Sequence, residues 1–299
     1  MDWKKAGCLC ALLVFWITGT AFAEEGVAPR PWGSVSSTFG PCGMGFPQYK
    51  LAVGGNLVYG TSDNVRRHSE KGSSDTKVTQ FSQALKFRYG ILPGLDVRTA
   101  TPFYSIHIDN SNKADRTNYG MGDTAVVFHQ VLLNQGAGSA FNLAVDLGGV
   151  VPTASVGEHS VNGIGNDAWG AIAGIGATYF LGSNRFDTEV NVATFTEGAK
   201  EYQKGDRFRW NLGYAYAINE LWDIGAESTY ERNDETELRG QRQNDASEEW
   251  YVGPKVMFKY SPWNTNVGVI AKFPVQRWYQ NTKAGSDDVR FEFKLIKTF

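Results

Sequence analysis

Hydrophobic and polar residues alternate along most of the chain. In residues 141–153, FNLAVDLGGVVPT, the odd positions are mainly apolar, whereas the even positions include Asn142 and Asp146. A period of two residues places successive side chains on opposite faces of a β-strand. The pattern therefore predicts a strand with one apolar face and a second face that accepts a carboxylate.

The same alternation recurs in about twelve segments of roughly 10–14 residues, the length that a tilted membrane strand requires. The connections between these segments alternate in length. Long polar connections are predicted at 61–76, 109–122, 153–166, 197–206, 232–248 and 277–287. Short connections rich in Gly, Asn and Pro are predicted at 90–94, 134–139, 182–184, 219–220 and 261–264. Because outer-membrane barrels have short periplasmic turns and long outside loops, we predict an all-β fold. It is a single antiparallel transmembrane β-barrel of about 12 strands over residues 49–299.

The charged residues of these strands share the polar faces. An Arg or Lys on the lipid face at the bilayer midplane costs roughly 2–4 kcal/mol, so we assign the charges to the lumen. The predicted lumen-lining residues are Lys86, Arg88, Asp96, Arg98, Asp146, Asp187, Glu189, Arg207, Arg209, Asp223, Glu227, Lys255, Lys259, Lys272, Arg290, Glu292 and Lys294. Positive and negative residues are nearly equal in number. Two interpretations therefore remain open: a network of salt bridges that braces the barrel, or a selectivity filter of a channel. Arg88 and Asp96 flank the turn 90–94 and are placed to pair across that hairpin.

The N-terminal residues 1–23 predict a secretory signal peptide. Two lysines precede an apolar run at 9–17 and an Ala-Phe-Ala site that ends at Ala23, the order typical of such signals. Cleavage there leaves Cys42 as the only thiol of the mature chain, so no internal disulfide is expected. Residues 24–48 hold four of the ten prolines and predict a periplasmic tail or a plug rather than a central strand.

The other end of the chain carries a candidate assembly signal. The last strand ends on Phe299, and Phe291, Phe293 and Leu295 alternate back from it. This arrangement resembles the signal by which outer-membrane barrels are assembled, so the barrel assembly machinery and outer-membrane lipids are the expected partners. Aromatic residues also gather where strands would cross the membrane interfaces, as girdles do. They are Tyr89, Tyr104, Phe180, Trp222, Tyr230, Trp250, Tyr260, Trp263 and Trp278.

The motifs offer little for enzyme chemistry. The four histidines are His68, His107, His129 and His159, and of these only His107 has a serine, Ser105, close by on the same face. The sequence lacks G-x-S-x-G, H-E-x-x-H and a Gly-rich phosphate loop. We therefore expect no catalytic residue, no metal site and no cofactor, and the net charge of −2 gives no reason to expect nucleic acid. A lipid-modifying barrel enzyme and a structural or adhesion barrel remain as alternatives to a channel.

Four segments resemble one known family. They are GILPGLDVRTATPF at 90–103, YGMGDTAVVFHQVLL at 119–133, FNLAVDLGGVVPT at 141–153 and GIGNDAWGAIAGIGATYFLG at 163–182. These segments are similar to the family named for the MetA pathway of phenol degradation, and the resemblance runs from about residue 49 to the end of the chain. It implies an exported outer-membrane barrel that acts as a transporter, with no binding residues to carry over. The resulting hypothesis is a channel for passive uptake of small compounds, hydrophobic or aromatic ones among them, whose individual substrate the sequence does not specify.

The leader yields the first testable prediction. If residues 1–23 form a cleaved signal peptide, N-terminal sequencing of the protein recovered from outer membranes begins at Glu24. Recovery of the chain from the cytosol or the inner membrane would contradict both the leader and the barrel.

Overall fold

The computed structural model describes residues 42–110, 114–154, 165, 167–284 and 288–299. The predicted leader and most of the segment 24–48 lie outside the described residues. Twelve long strands form one closed antiparallel sheet, which confirms the predicted β-barrel. No helix in these described ranges is long and apolar enough to cross a membrane.

The strands follow one another around the barrel in chain order. They are β1 Leu51–His68, β2 Glu70–Leu92, β3 Leu95–Asn110, β4 Arg116–Met121, β5 Thr124–Leu133, β6 Asn142–Val151, β7 Gly170–Leu181, β8 Asn184–Phe195, β9 Tyr202–Gln203, β10 Arg207–Ala217, β11 Trp222–Asn233, β12 Glu237–Leu238, β13 Gln241–Arg242, β14 Ser247–Tyr260, β15 Thr265–Ala284 and β16 Val289–Thr298. Strands β4 and β5 occupy one position, because β3 pairs with each of them in turn. Strands β9, β12 and β13 form a small separate sheet. Short 3-10 turns lie at Gln135–Ala137, Ala199–Glu201 and Ser261–Trp263.

The barrel closes because β1 pairs with β2 on one side and with β16 on the other. Following paired residues from Ala52 around the wall returns to β1 at His68, sixteen residues further along the chain. The route passes through Arg88, Arg98, Val127, Gly148, Ile172, Ala193, Arg207, Asn233, Ser247 and Tyr279. This stagger tilts the strands and links their register to the barrel diameter. Because the strands are tilted, side chains at the same height in the lumen are not the ones that pair directly in the β-ladder.

The two faces of the sheet separate apolar from charged side chains. On β6, Leu147 points outward and is 38% exposed, whereas its neighbour Asp146 is 5% exposed inside the barrel. The outer surface carries large apolar side chains all around the sheet, Phe128 and Trp222 among them. Most of the aromatic girdle residues lie on this outer face. Two were wrongly placed there, because Tyr104 and Phe180 share the inward-facing register of their strands.

Three of the predicted long loops are instead largely strand. The segment 109–122 contains the end of β3 and all of β4. The segment 61–76 continues the hairpin of β1 and β2, which are separated by a single residue at 69. The segment 277–287 begins inside β15, which runs to Ala284. Outside the bilayer a strand still gains its backbone hydrogen bonds but needs no apolar face. Alternation, the signal that sequence analysis relies on, is therefore lost while the ladder continues.

The start of β1 and the end of the chain after β16 are joined at the short-turn edge of the barrel. The backbone amide of Phe299 donates to the carbonyl of Leu51 at 2.7 Å, and the amide of Leu51 donates in return at 3.4 Å. The short turns at this edge include Gly94 and Gly182, whose φ angles of 77° and 55° lie in the left-handed region. Glycine adopts that region without steric cost. Both termini of the barrel and the short turns therefore lie at one edge, as expected for an even strand number.

The opposite faces generate a prediction about assembly. Replacing outward-facing Leu147 with Arg places a charge against lipid and should destabilise the folded barrel by about 2–4 kcal/mol. The matched control is Ser82→Arg, because Ser82 faces the lumen and is only half-buried. Heat-modifiable mobility on gels and urea unfolding in lipid measure the difference. Equal destabilisation by the two substitutions would contradict the face assignment.

Candidate functional site in the barrel lumen

The lumen contains the charges that the sequence analysis assigned to it. Arg207, Arg209 and Arg290 are half-buried. The other fourteen predicted residues are buried: Lys86, Arg88, Asp96, Arg98, Asp146, Asp187, Glu189, Asp223, Glu227, Lys255, Lys259, Lys272, Glu292 and Lys294. Side chains at these levels pack so closely that they leave little surface for water. The four residues of the predicted assembly signal lie elsewhere, exposed on the outer face: Phe291, Phe293, Leu295 and Phe299.

Asp96 is the centre of the first charge cluster. Arg88 donates from Nε to Oδ1 of Asp96 at 2.8 Å and from Nη2 to Oδ2 at 2.6 Å. Arg98 donates from Nε to the same Oδ1 at 3.0 Å. Arg88 and Asp96 thus pair across the β2–β3 hairpin, in the two-pronged geometry that a guanidinium and a carboxylate favour. Asp146 lies 3.9 Å from Nη1 of Arg98 and supplies the second negative charge of the cluster.

His129 connects this cluster to the segment that precedes β1. Its Nδ1 lies 2.7 Å from Oδ1 of Asp146, and its Nε2 lies 3.1 Å from the carbonyl oxygen of Met44. Nη2 of Arg88 donates to that same carbonyl at 2.8 Å. The backbone amide of Phe46 donates to Oδ2 of Asp96 at 3.0 Å. The charge cluster therefore holds the backbone of residues 44–46 inside the lumen.

The same segment begins further around the wall, at Cys42. The Cys42 sulfur lies 3.1 Å from the carbonyl of Ala177 and 3.2 Å from that of Thr188. Glycine makes room for the segment, because a Cβ atom at Gly176 would stand 2.8 Å from the Cys42 carbonyl oxygen. Residues 42–48 therefore run along the inside of the wall at the short-turn end, from β7 and β8 to β3 and β2.

A second cluster surrounds Glu227 on the far wall. Its carboxylate lies 3.3 Å from the ammonium of Lys255 and 3.5 Å from those of Lys272 and Lys294. Glu292 adds a second carboxylate, 3.0 Å from Lys272 and 3.9 Å from Lys294. Removing Glu227 would leave its three lysines without the carboxylate they share, which is strongly destabilising. This cluster braces the wall, in line with the structural alternative for the lumen charges.

A third set of charges lies nearer the long-loop end. Arg209 donates to Oε2 of Glu231 from Nε at 2.7 Å and also from Nη2. The guanidinium of Arg290 lies 4.5 Å from the centroid of the Tyr251 ring. The Nε atom of Arg207 is buried and has no hydrogen-bond partner among the residues that the structure describes. These side chains leave the upper lumen less crowded than the two clusters below it.

Sequence analysis missed several residues of the lumen. Arg185, which donates to Asp187 at 2.6 Å, and Glu231 lie in the same register as predicted residues, so the alternation could have found them. The partnership of His129 with Asp146 depends on the register between β5 and β6, which no local pattern specifies. His107 lies on the outer face, where its Nδ1 is 2.9 Å from Thr117. In the described part of the chain, no group of three or more His, Cys, Asp and Glu residues could hold a metal ion.

The contacts of Asp96 predict how residues 42–48 are released. Asp96→Asn removes the charge that two guanidinium groups share and should destabilise the cluster by about 3–5 kcal/mol. Cys42 is only 1% exposed, so its thiol reports the change. We expect a maleimide reagent to label folded Asp96→Asn at least about tenfold faster than the unchanged protein.

The matched control for this experiment is Asp223→Asn. Asp223 is an equally buried carboxylate, which accepts from Lys259 at 2.7 Å on the far wall. If Asp223→Asn accelerates labelling of Cys42 as much as Asp96→Asn does, then general loosening of the barrel explains the effect and the anchoring role of Asp96 is wrong.

Comparisons with known proteins agree with this architecture. The family model described as "Putative MetA-pathway of phenol degradation" matches residues 52–286. No curated protein matches the chain. Among solved structures, the COG4313 outer membrane channel from Pseudomonas putida F1 superposes with a TM-score of 0.73 at 14% identity, over 86% of this chain and 97% of that one. A FadL homologue from Pseudomonas aeruginosa gives 0.45 at 8% identity, over 87% and 92%. A loop-deletion mutant of OmpT from Vibrio cholerae gives 0.41 at 10% identity, over 83% and 99%.

Proposed function

We propose that this chain, which belongs to the family named for the MetA pathway of phenol degradation, is an outer-membrane channel. Its cargo is small hydrophobic or aromatic compounds, which it takes up passively. The observation that carries the proposal is the position of residues 42–48 inside the lumen. This segment lines the short-turn end from β7 to β2, where hydrogen bonds to the lumen wall hold it. A barrel with such an inserted, separable segment suits regulated passage better than a purely structural role.

We infer that residues 24–48 as a whole act as the plug, once a signal peptide ending at Ala23 has been removed. Only 42–48 of this segment belong to the described residues. The plug would face the periplasm, because the short turns of such barrels lie on that side. On the same reasoning, the barrel assembly machinery would recognise the strand that ends in Phe299, and outer-membrane lipids would surround the apolar face.

The surroundings of the histidines suit a channel better than an enzyme. Lipid-cleaving barrels use a nucleophile activated by a nearby base. His107 faces outward, and its Nδ1 lies 2.9 Å from the hydroxyl of Thr117. His129 is fully buried against Asp146 and a backbone carbonyl, so neither ring nitrogen is available to a serine. The buried charges of the lumen pair with one another. Such pairing suits a narrow lumen with weak ion selectivity.

Conductance and uptake test the proposal together. In planar bilayers the unchanged protein should show small conductance with weak selectivity, and a variant lacking residues 24–48 should conduct several-fold more, because the short-turn end is then open. In cells, deletion of the gene should slow entry of a phenolic or alkyl-aromatic compound, and the intact gene should restore it. Normal entry of every such compound, together with a large non-selective conductance of the unchanged protein, would indicate a general porin instead. Lipid hydrolysis that is lost in His129→Ala would indicate an enzyme.

A further inference from the structure

We propose that the upper lumen holds a binding site for small amphipathic organic anions, namely monocarboxylates with an aromatic or compact apolar body. The proposal rests on the proposed channel function and names a substrate class for it. Two observations carry it: an apolar surface on the lumen wall, and a guanidinium beside it with an unsatisfied donor.

The apolar wall is formed by β3, β5, β6 and β7. Ile172 pairs through Gly148 with Val127, so these three residues form a continuous row across β7, β6 and β5. Ala125 and Pro102 continue the surface upward on β5 and β3. All five are half-buried and face the lumen. Their small or compact side chains leave space above the cluster formed by Arg98, His129 and Asp146.

The cationic side of the site is on β10. Arg207 pairs through Ala193 with Ile172, so it lies two strands from the β7 end of the apolar row. Tyr104 lies on β3, two residues above Pro102, within electrostatic range of Arg207 and Arg209. The apolar row and the guanidinium groups therefore meet at one level of the lumen.

One donor at this level is not satisfied. Glu231 accepts two hydrogen bonds from Arg209 and a third from Asn233 at 3.2 Å, and it pairs with Glu249 on the neighbouring strand. Asp123 lies 3.8 Å from the ammonium of Lys204. Arg207 also interacts with Glu231, but its Nε has no hydrogen-bond partner among the described residues. A buried donor without an acceptor is unfavourable, and a carboxylate from a ligand would satisfy it in two-pronged geometry.

The apolar wall and Arg207 together select the ligand class. A carboxylate on Arg207 would direct an attached ring toward Pro102, Val127 and Ile172, where burial of apolar surface contributes affinity. A neutral aromatic compound gains the apolar contact but leaves the Arg207 donor unsatisfied. A small anion such as acetate satisfies Arg207 and leaves the apolar wall bare. Benzoate carries both groups and is the suitable probe.

Calorimetry on the folded barrel tests this order. Benzoate should bind at least about tenfold more tightly than benzyl alcohol and than acetate, because each of those lacks one of the two contacts. Arg207→Gln should weaken benzoate binding about tenfold and leave benzyl alcohol unaffected. Arg207→Lys, which keeps the charge, should retain part of the benzoate affinity. Ile172→Ala should weaken benzoate and leave acetate unchanged.

The control is Arg232→Gln. Arg232 is an exposed arginine on β11 that pairs with Asp234 at 3.2 Å and does not line the lumen, so benzoate binding should be unaltered. Equal affinities for benzoate and acetate, or unchanged benzoate affinity in a folded Arg207→Gln protein, would overturn the proposal. Its failure is separable from failure of the channel function, because uptake of neutral aromatic compounds by cells does not depend on a carboxylate.

Discussion

Backbone hydrogen bonding within a closed sheet is the constraint on which the rest of this structure depends. Lipid offers no partner to an amide or a carbonyl, so every backbone group in the spanning region must find one in a neighbouring strand. Closure between β1 and β16 meets this requirement and fixes the stagger of the strands. The stagger in turn decides which side chains share a level of the lumen. Asp96 can gather Arg88 and Arg98 because the register of β2 and β3 brings them together.

The lumen shows how a membrane barrel holds many charges without a large energetic penalty. Each buried carboxylate described above lies near at least one guanidinium, ammonium or imidazole group, and the backbone of residues 44–46 completes the cluster around Asp96. Such networks contribute less to net stability than their number suggests, because desolvation offsets the attraction. Their value lies in specificity, because they fix the position of residues 42–48 in the lumen. Above them, Arg207 and Ile172 lie two strands apart, joined through Ala193.

Local pattern was enough to predict the architecture. The alternation around Asp146 places it opposite Leu147, and both the strand number and the closed antiparallel sheet follow from repeating that pattern along the chain. What local pattern could not specify is any contact that depends on register between strands or on the path of a segment without periodicity. The pairing of His129 with Asp146 is of the first kind, and the anchoring of Met44 by Arg88 is of the second. The hairpin beyond residue 61 was misjudged because strands outside the lipid no longer need an apolar face.

The hydrogen bonds between Leu51 and Phe299 have a kinetic consequence. β1 can pair with β2 at once, but its other edge has no partner until β16 has been made, so closure joins residues separated by nearly the whole barrel. Contacts this distant in sequence fold slowly, and until they form, both β1 and β16 are open edges that invite pairing with other chains. The chain is therefore most prone to aggregation before its first and last strands have joined.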